Sequence, residues 1–242
     1  MSYNLRASIR EISLLLALIY GVVQAVAADS ATAAPAIVIG FVGGMVKHDD
    51  MVHSVVQIAA QLRQHYPSGV HVEVFENRRR GEALAKIIRL LDHDGNGKLS
   101  AEEKKNARII LYGHSWGASA AITLARELDR DGIPVLLTVQ VDSVPRGGEN
   151  DRVIPANVAE AANFYELNGF LHGEPQIRPA DPKHTHILGD YQFDYKANPI
   201  DCKDYPWYDR LLMRPHTEIE CDPKVWTQVE SLIESKLPLQ RD

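Results

Sequence analysis

The sequence predicts an α/β fold in which a mostly parallel sheet is flanked by helices. Three observations carry this reading. Between residues 36 and 141, short apolar runs alternate with stretches whose apolar residues recur at helical spacing. The runs are nearly continuous rather than every second residue, the pattern of strands buried on both faces. At one junction, Gly113-His114-Ser115-Trp116-Gly117, an apolar run passes into a run of small residues through two glycines, the form of a sharp strand-to-helix turn.

Taken in order, residues 36–41 are apolar and end at Gly43-Gly44, which predicts a buried strand stopping at a backbone-permissive loop. Residues 50–65 place Met51, Val55, Ile58, Ala59 and Leu62 on one helical face. A strand over 70–75 and a helix over 80–91 follow, then a strand over 108–112, a helix over 118–129 and a strand over 134–141. Strand and helix in strict alternation imply parallel pairing through right-handed crossovers. Residues 143–213 are irregular, rich in Pro, Gly, Asp and aromatics, with a possible strand near 163–167 followed by His172 and Glu174. A final amphipathic helix covers 223–236.

The chain has 242 residues, 45% of them hydrophobic, enough for one domain with a sizeable core. Residues 1–27 read as a secretory signal: Arg6 and Arg10, then an apolar stretch, then Ala25-Val26-Ala27 for cleavage. The apolar stretch is short for a membrane span, and no cysteine follows it to carry a lipid. The mature domain is expected over 28–242, secreted or periplasmic. Losing two arginines and one glutamate takes the net charge from −6 to −7, which argues against a nucleic-acid partner. Cys202 and Cys221 are expected to pair in an oxidising compartment.

Two stretches carry chemistry. A serine on a strand-to-helix turn holds strained backbone angles that lift its hydroxyl clear of the sheet, so Ser115 is a candidate nucleophile. Residues 92–103 fill an EF-hand-like loop: Asp92, Asp94 and Asn96 at positions one, three and five, glycine at six, an apolar residue at eight and Glu103 at twelve. Calcium would be held by those side chains, by the Lys98 carbonyl and by Ser100 directly or through water. A single such loop argues for a structural ion rather than a sensor, since sensing loops come in pairs.

With the double glycine after its first strand and its GxSxG turn, the chain resembles the α/β-hydrolase superfamily from residue 36 onwards. It would begin at that family's third strand, a reduced form with the EF-hand-like insertion in front of the nucleophile strand. The resemblance implies a triad in the order Ser, acid, His. Asp142, ending the strand 134–141, is the expected acid. His216, placed in a loop before the last helix, is the expected base, with His184 and His186 as competitors. His114, inside the turn, is expected to point away from the serine. The oxyanion hole would use the N–H of Trp116 and one from Gly43-Gly44-Met45. Trp116 and Phe41 are candidate walls of an acyl pocket.

These residues imply an exported serine hydrolase that cleaves small-molecule or lipid esters through an acyl-enzyme. The competing expectation is an inactive calcium-stabilised binding or scaffolding domain on the same fold.

Overall fold

The computed structural model describes residues 35–239, and the expected signal segment lies outside them. Its strands are β1 (Ala36–Val42), β2 (Val70–Glu76), β3 (Ile109–His114), β4 (Val135–Val141), β5 (Val153–Ile154), β6 (Val158–Glu166), β7 (Arg178–Pro179) and β8 (His186–Phe193). Its helices, in chain order, are α1 (Ser54–His65), α2 (Arg80–Leu91), α3 (Ala101–Lys105), α4 (Trp116–Arg130), α5 (Trp207–Leu212), α6 (Arg214–Cys221) and α7 (Pro223–Glu234). A 3₁₀ turn, Asn77–Arg79, joins β2 to α2.

Six strands form one sheet in the order β2-β1-β3-β4-β6-β8, every pair parallel. This is an α/β fold, a parallel sheet with helices on both faces. Alternate residues of each strand feed opposite layers. Val38, Ile110, Val139 and Phe164 pack with α1 and α7, while Ile37, Ile39, Phe41 and Leu111 pack with α2 and α4. Among the described residues no helix is long and apolar enough to cross a membrane.

The sheet also locates the functional end of the molecule. From β1 the chain steps outwards to β2, then returns to β3 on the other side of β1. In open parallel sheets the crevice at the carboxyl ends of the strands flanking such a reversal is where ligands bind. Gly43 and Ser115 follow those two strands directly.

Several expectations need correction. The first helix begins at Ser54, because residues 47–53 turn instead: Asp50 N–H donates to the Lys47 carbonyl at 3.2 Å, and the Asp50 carboxylate accepts from Val52 N–H at 3.1 Å. The helix after the nucleophile turn starts at Trp116, with no spacer. Residues 143–213 are less irregular than their composition implies. β6 runs for 9 residues and β8 for 8. Polar and small residues such as Glu160, Asn163, Gly189 and Asp190 break their apolar pattern, so neither read as a full strand.

Candidate active site

Ser115 stands between β3 and α4 at φ 56°, ψ −128°, a conformation that costs an L-residue free energy. Local packing over-determines it. Ser115 N–H donates to the Val141 carbonyl of the neighbouring strand at 3.0 Å, and its own carbonyl accepts from Ala118 N–H at 3.0 Å. The glycine two residues later makes the turn possible: a Cβ on Gly117 would stand 2.1 Å from the Phe41 carbonyl oxygen, so β1 and α4 touch backbone to backbone there.

Asp142 follows β4 immediately and is the other non-glycine residue with positive φ, at 44°, among the described residues. It is fully buried. One carboxylate oxygen accepts from Gly173 N–H at 2.6 Å and from Glu166 N–H at 3.2 Å; the other lies 2.6 Å from His216 Nδ1. An ionised carboxylate only accepts, so Nδ1 carries the hydrogen and Nε2 keeps its lone pair.

His216 is on helix α6, not in a loop as the sequence implied. Pro215 at the start of that helix and the disulfide between Cys202 and Cys221 at its end, Cα to Cα 5.9 Å, shape the segment. Ser115 and His216 line one cavity of about 680 Å³, together with Gly43, Gly44, Met45 and Trp116. His184 and His186 do not line it. His184 is exposed and paired with Asp181 at 2.7 Å, and His186 opens the edge strand β8.

The loop after β1 lies against Ser115. A Cβ on Gly43 would sit 2.9 Å from Ser115 Cβ, so only glycine leaves this approach open. Asn77 holds the loop by donating from Nδ2 to the carbonyls of Val42 at 3.2 Å and Gly44 at 2.7 Å. Arg146 donates to Asn77 Oδ1 at 3.2 Å and covers the Trp116 ring at 5.2 Å, linking this loop to the residue after the serine. Phe41 does not wall the cavity. As an odd-numbered residue of β1 it faces α2 and α4, where its ring meets Phe75 at 6.2 Å.

Sequence reasoning missed a second cluster on the same cavity. Glu220, one helical turn beyond His216, accepts from His53 Nδ1 at 2.7 Å and lies 3.3 Å from His114 Nδ1. The His114 ring packs on the His216 ring, centroids 4.5 Å apart and 34° inclined. Burial pushes His114 down to about 4, so its imidazole is neutral at pH 7. Burial also works against charge on His53, but the Glu220 carboxylate outweighs it and raises the histidine above its usual value. Burial would raise Glu220 too; the surrounding histidines hold it below the usual carboxylate range. Nothing local announces this cluster, apart from the four-residue spacing of His216 and Glu220.

On the far side of the sheet's reading direction, the carboxylates of Asp92, Asp94 and Glu103 converge, each offering one oxygen within 4.8 Å of the others. Gly97 N–H donates to Asp92 Oδ2 at 2.9 Å, closing the loop around them. The Asn96 side chain joins the group through Nδ2, which donates to Asp94 Oδ2 at 2.6 Å, while its oxygen accepts from Lys98 N–H at 2.8 Å.

No family model and no curated protein matches the chain. Among solved structures it is similar to a YdeN-like hydrolase from Pectobacterium atrosepticum, at 16% identity and a TM-score of 0.40, over 84% of this chain and 94% of that one. It is also similar to RedJ crystallised with a PEG molecule in its active site (12% identity, TM-score 0.38, 77% and 90%) and to an acetyl xylan esterase (13%, 0.37, 84% and 99%).

Proposed function

We propose that the protein is an exported serine hydrolase that cleaves carboxylic esters through an acyl-enzyme on Ser115. The observation that carries this reading is the 2.6 Å contact of His216 Nδ1 with the buried Asp142 carboxylate, on a cavity that Ser115 shares. Ser115 Oγ attacks the ester carbonyl carbon and passes its proton to His216 Nε2. Collapse of the tetrahedral oxyanion breaks the bond to the alcohol oxygen, which takes that proton. Water, activated by the same histidine, then frees the acid. The N–H of Trp116 and those of Gly44 or Met45 supply the oxyanion hole, on a loop that Asn77 pins by its carbonyls. Exposed Met45 and half-exposed Tyr208 at the cavity mouth suit an apolar acyl group. The disulfide fits an oxidising compartment.

We further propose that residues 92–103 hold a structural calcium ion. Oxygen ligands at 2.3–2.6 Å from one ion lie at most about 5 Å apart, and the three carboxylates meet that limit. The ion would join the end of α2 to α3, at the amino end of β3. Ser115 is at the opposite end, six residues or about 20 Å away, too far for the ion to touch the substrate.

A fluorophosphonate probe tests the reading: covalent labelling together with turnover of short-chain nitrophenyl esters, both lost in Ser115→Ala, is expected. An unlabelled, inactive but folded protein would favour the scaffolding alternative.

A further inference from the structure

We propose that Glu220 is a positioning residue for His216: clamped by His53 and His114, it fixes the ring on which His216 packs and sets a second buried carboxylate beside the imidazolium that forms during turnover. This rests on His216 being the base of the proposed function, but its test does not need turnover.

Geometry makes the case. His216 and Glu220 are one turn apart on α6, so their Cβ atoms are about 5–6 Å from each other and both side chains enter one cavity. The Glu220 carboxylate is gripped from two other elements, by His53 ahead of α1 at 2.7 Å and by His114 at the end of β3 at 3.3 Å. Its main-chain carbonyl is held as well, by the Ser54 hydroxyl at 2.7 Å. His114 turns Nδ1 towards Glu220 and the face of its ring to His216. A neutral His114 adds no positive charge next to the base. A protonated His114 would oppose proton uptake by His216, and burial prevents that above about pH 4.

The other groups facing Glu220 complete the electrostatics. Glu220 pulls His53 towards its protonated form, helped by Asp50 3.9 Å from its Nε2 and by Asp209 through space, with the Tyr205 ring edge-on at 5.1 Å. Asp142 faces His216 from the other side. His216 thus has the buried Asp142 carboxylate in contact and that of Glu220 at a single remove, with buried Glu166 and, further out, Asp209 also acting on it through space. A negative charge at this range favours the protonated imidazole.

The His216 ring Cε1–H resonance, titrated by NMR, reads this directly. In Glu220→Gln the midpoint is expected to fall by about 0.5 pH unit or more, because a carboxylate is lost beside it. Glu220→Asp, which keeps the charge, should restore most of the shift. In His53→Gln, whose amide still donates to Glu220, the carboxylate is no longer countered by a histidine that it pulls towards the charged form, and the midpoint is expected to rise. A residue that merely supports packing would change thermal stability and leave the midpoint in place. An unmoved midpoint in folded Glu220→Gln overturns the proposal; should that variant not fold, His53→Gln decides, and an unmoved midpoint there overturns it. Absence of probe labelling in the wild type would instead count against the hydrolase reading alone.

Discussion

His216 Nδ1 stands 2.6 Å from Asp142 Oδ2 although 74 positions separate the two residues, and both are buried. The contact fixes which nitrogen carries the hydrogen and which keeps its lone pair. Asp142→Asn keeps the shape but puts an N–H donor or a weaker acceptor opposite Nδ1, so the imidazole adopts the wrong tautomer. Ester turnover is expected to fall about 10³–10⁴-fold. Thermal melting should show a folded protein destabilised by about 1–3 kcal/mol, since Gly173 and Glu166 N–H groups also lose a charged acceptor. Loss of less than tenfold would rule out Asp142 as the orienting acid of the proposed triad.

Gly117→Ala sets two effects against each other. Inside a helix alanine is favoured over glycine by about 1 kcal/mol. Here the added Cβ meets the Phe41 carbonyl oxygen at 2.1 Å, and overpacking against backbone costs about 1–3 kcal/mol or more. The clash wins. A melting temperature lower by about 4–8 °C is expected, and an unchanged or higher one would refute the close approach of β1 and α4.

Chelation tests the proposed ion. If calcium is present at about 10–100 times its Kd, removing it costs on the order of 1.5–3 kcal/mol, a drop in melting temperature of about 3–10 °C. Turnover measured well below that transition should stay within twofold, and the drop should vanish in Glu103→Gln. Immediate loss of activity in folded, chelated protein would contradict a purely structural role.

Glu76 gives a pH signature. Burial works to raise its carboxyl, but hydrogen bonds from His48 and Arg79 outweigh this and hold it at about 2. The unfolded value is about 4.5, so between pH 4.5 and 2 the unfolded state binds more protons and the stabilisation drains away as pH falls. At pH 5 and above Glu76→Gln is expected to cost about 1–3 kcal/mol in urea titrations, and the gap to wild type should close towards pH 2. A gap that is constant with pH would show that the carboxylate charge contributes nothing.

What the sequence made legible was local chemistry. The turn at Ser115 shows itself because only glycines at 113 and 117 let strand and helix meet there, and Asp142 is a candidate acid by its place at a strand's carboxyl end. Chain order pointed to His216, yet its helix was hidden: α6 has 8 residues and a polar composition, and forms through its contacts rather than its pattern. The rest depends on long-range contact. His53 and Glu220 are 167 positions apart, and the Asn77 clamp on Val42 and Gly44 spans more than thirty. β6 and β8 were dimmed by the polar residues that line their half of the sheet.

Ser115 and Asp142 share one more property: among the described residues only these two non-glycine positions hold positive φ. Each would be more comfortable as glycine, which adopts that shape at no steric cost. The relaxed backbone and the side chain that the proposed chemistry uses are therefore mutually exclusive at both positions. Selecting variants for heat resistance alone would pull each towards glycine and, in the same step, delete the hydroxyl and the carboxylate. On the proposed function, a thermostability screen would need an activity filter at these two codons before anywhere in the core.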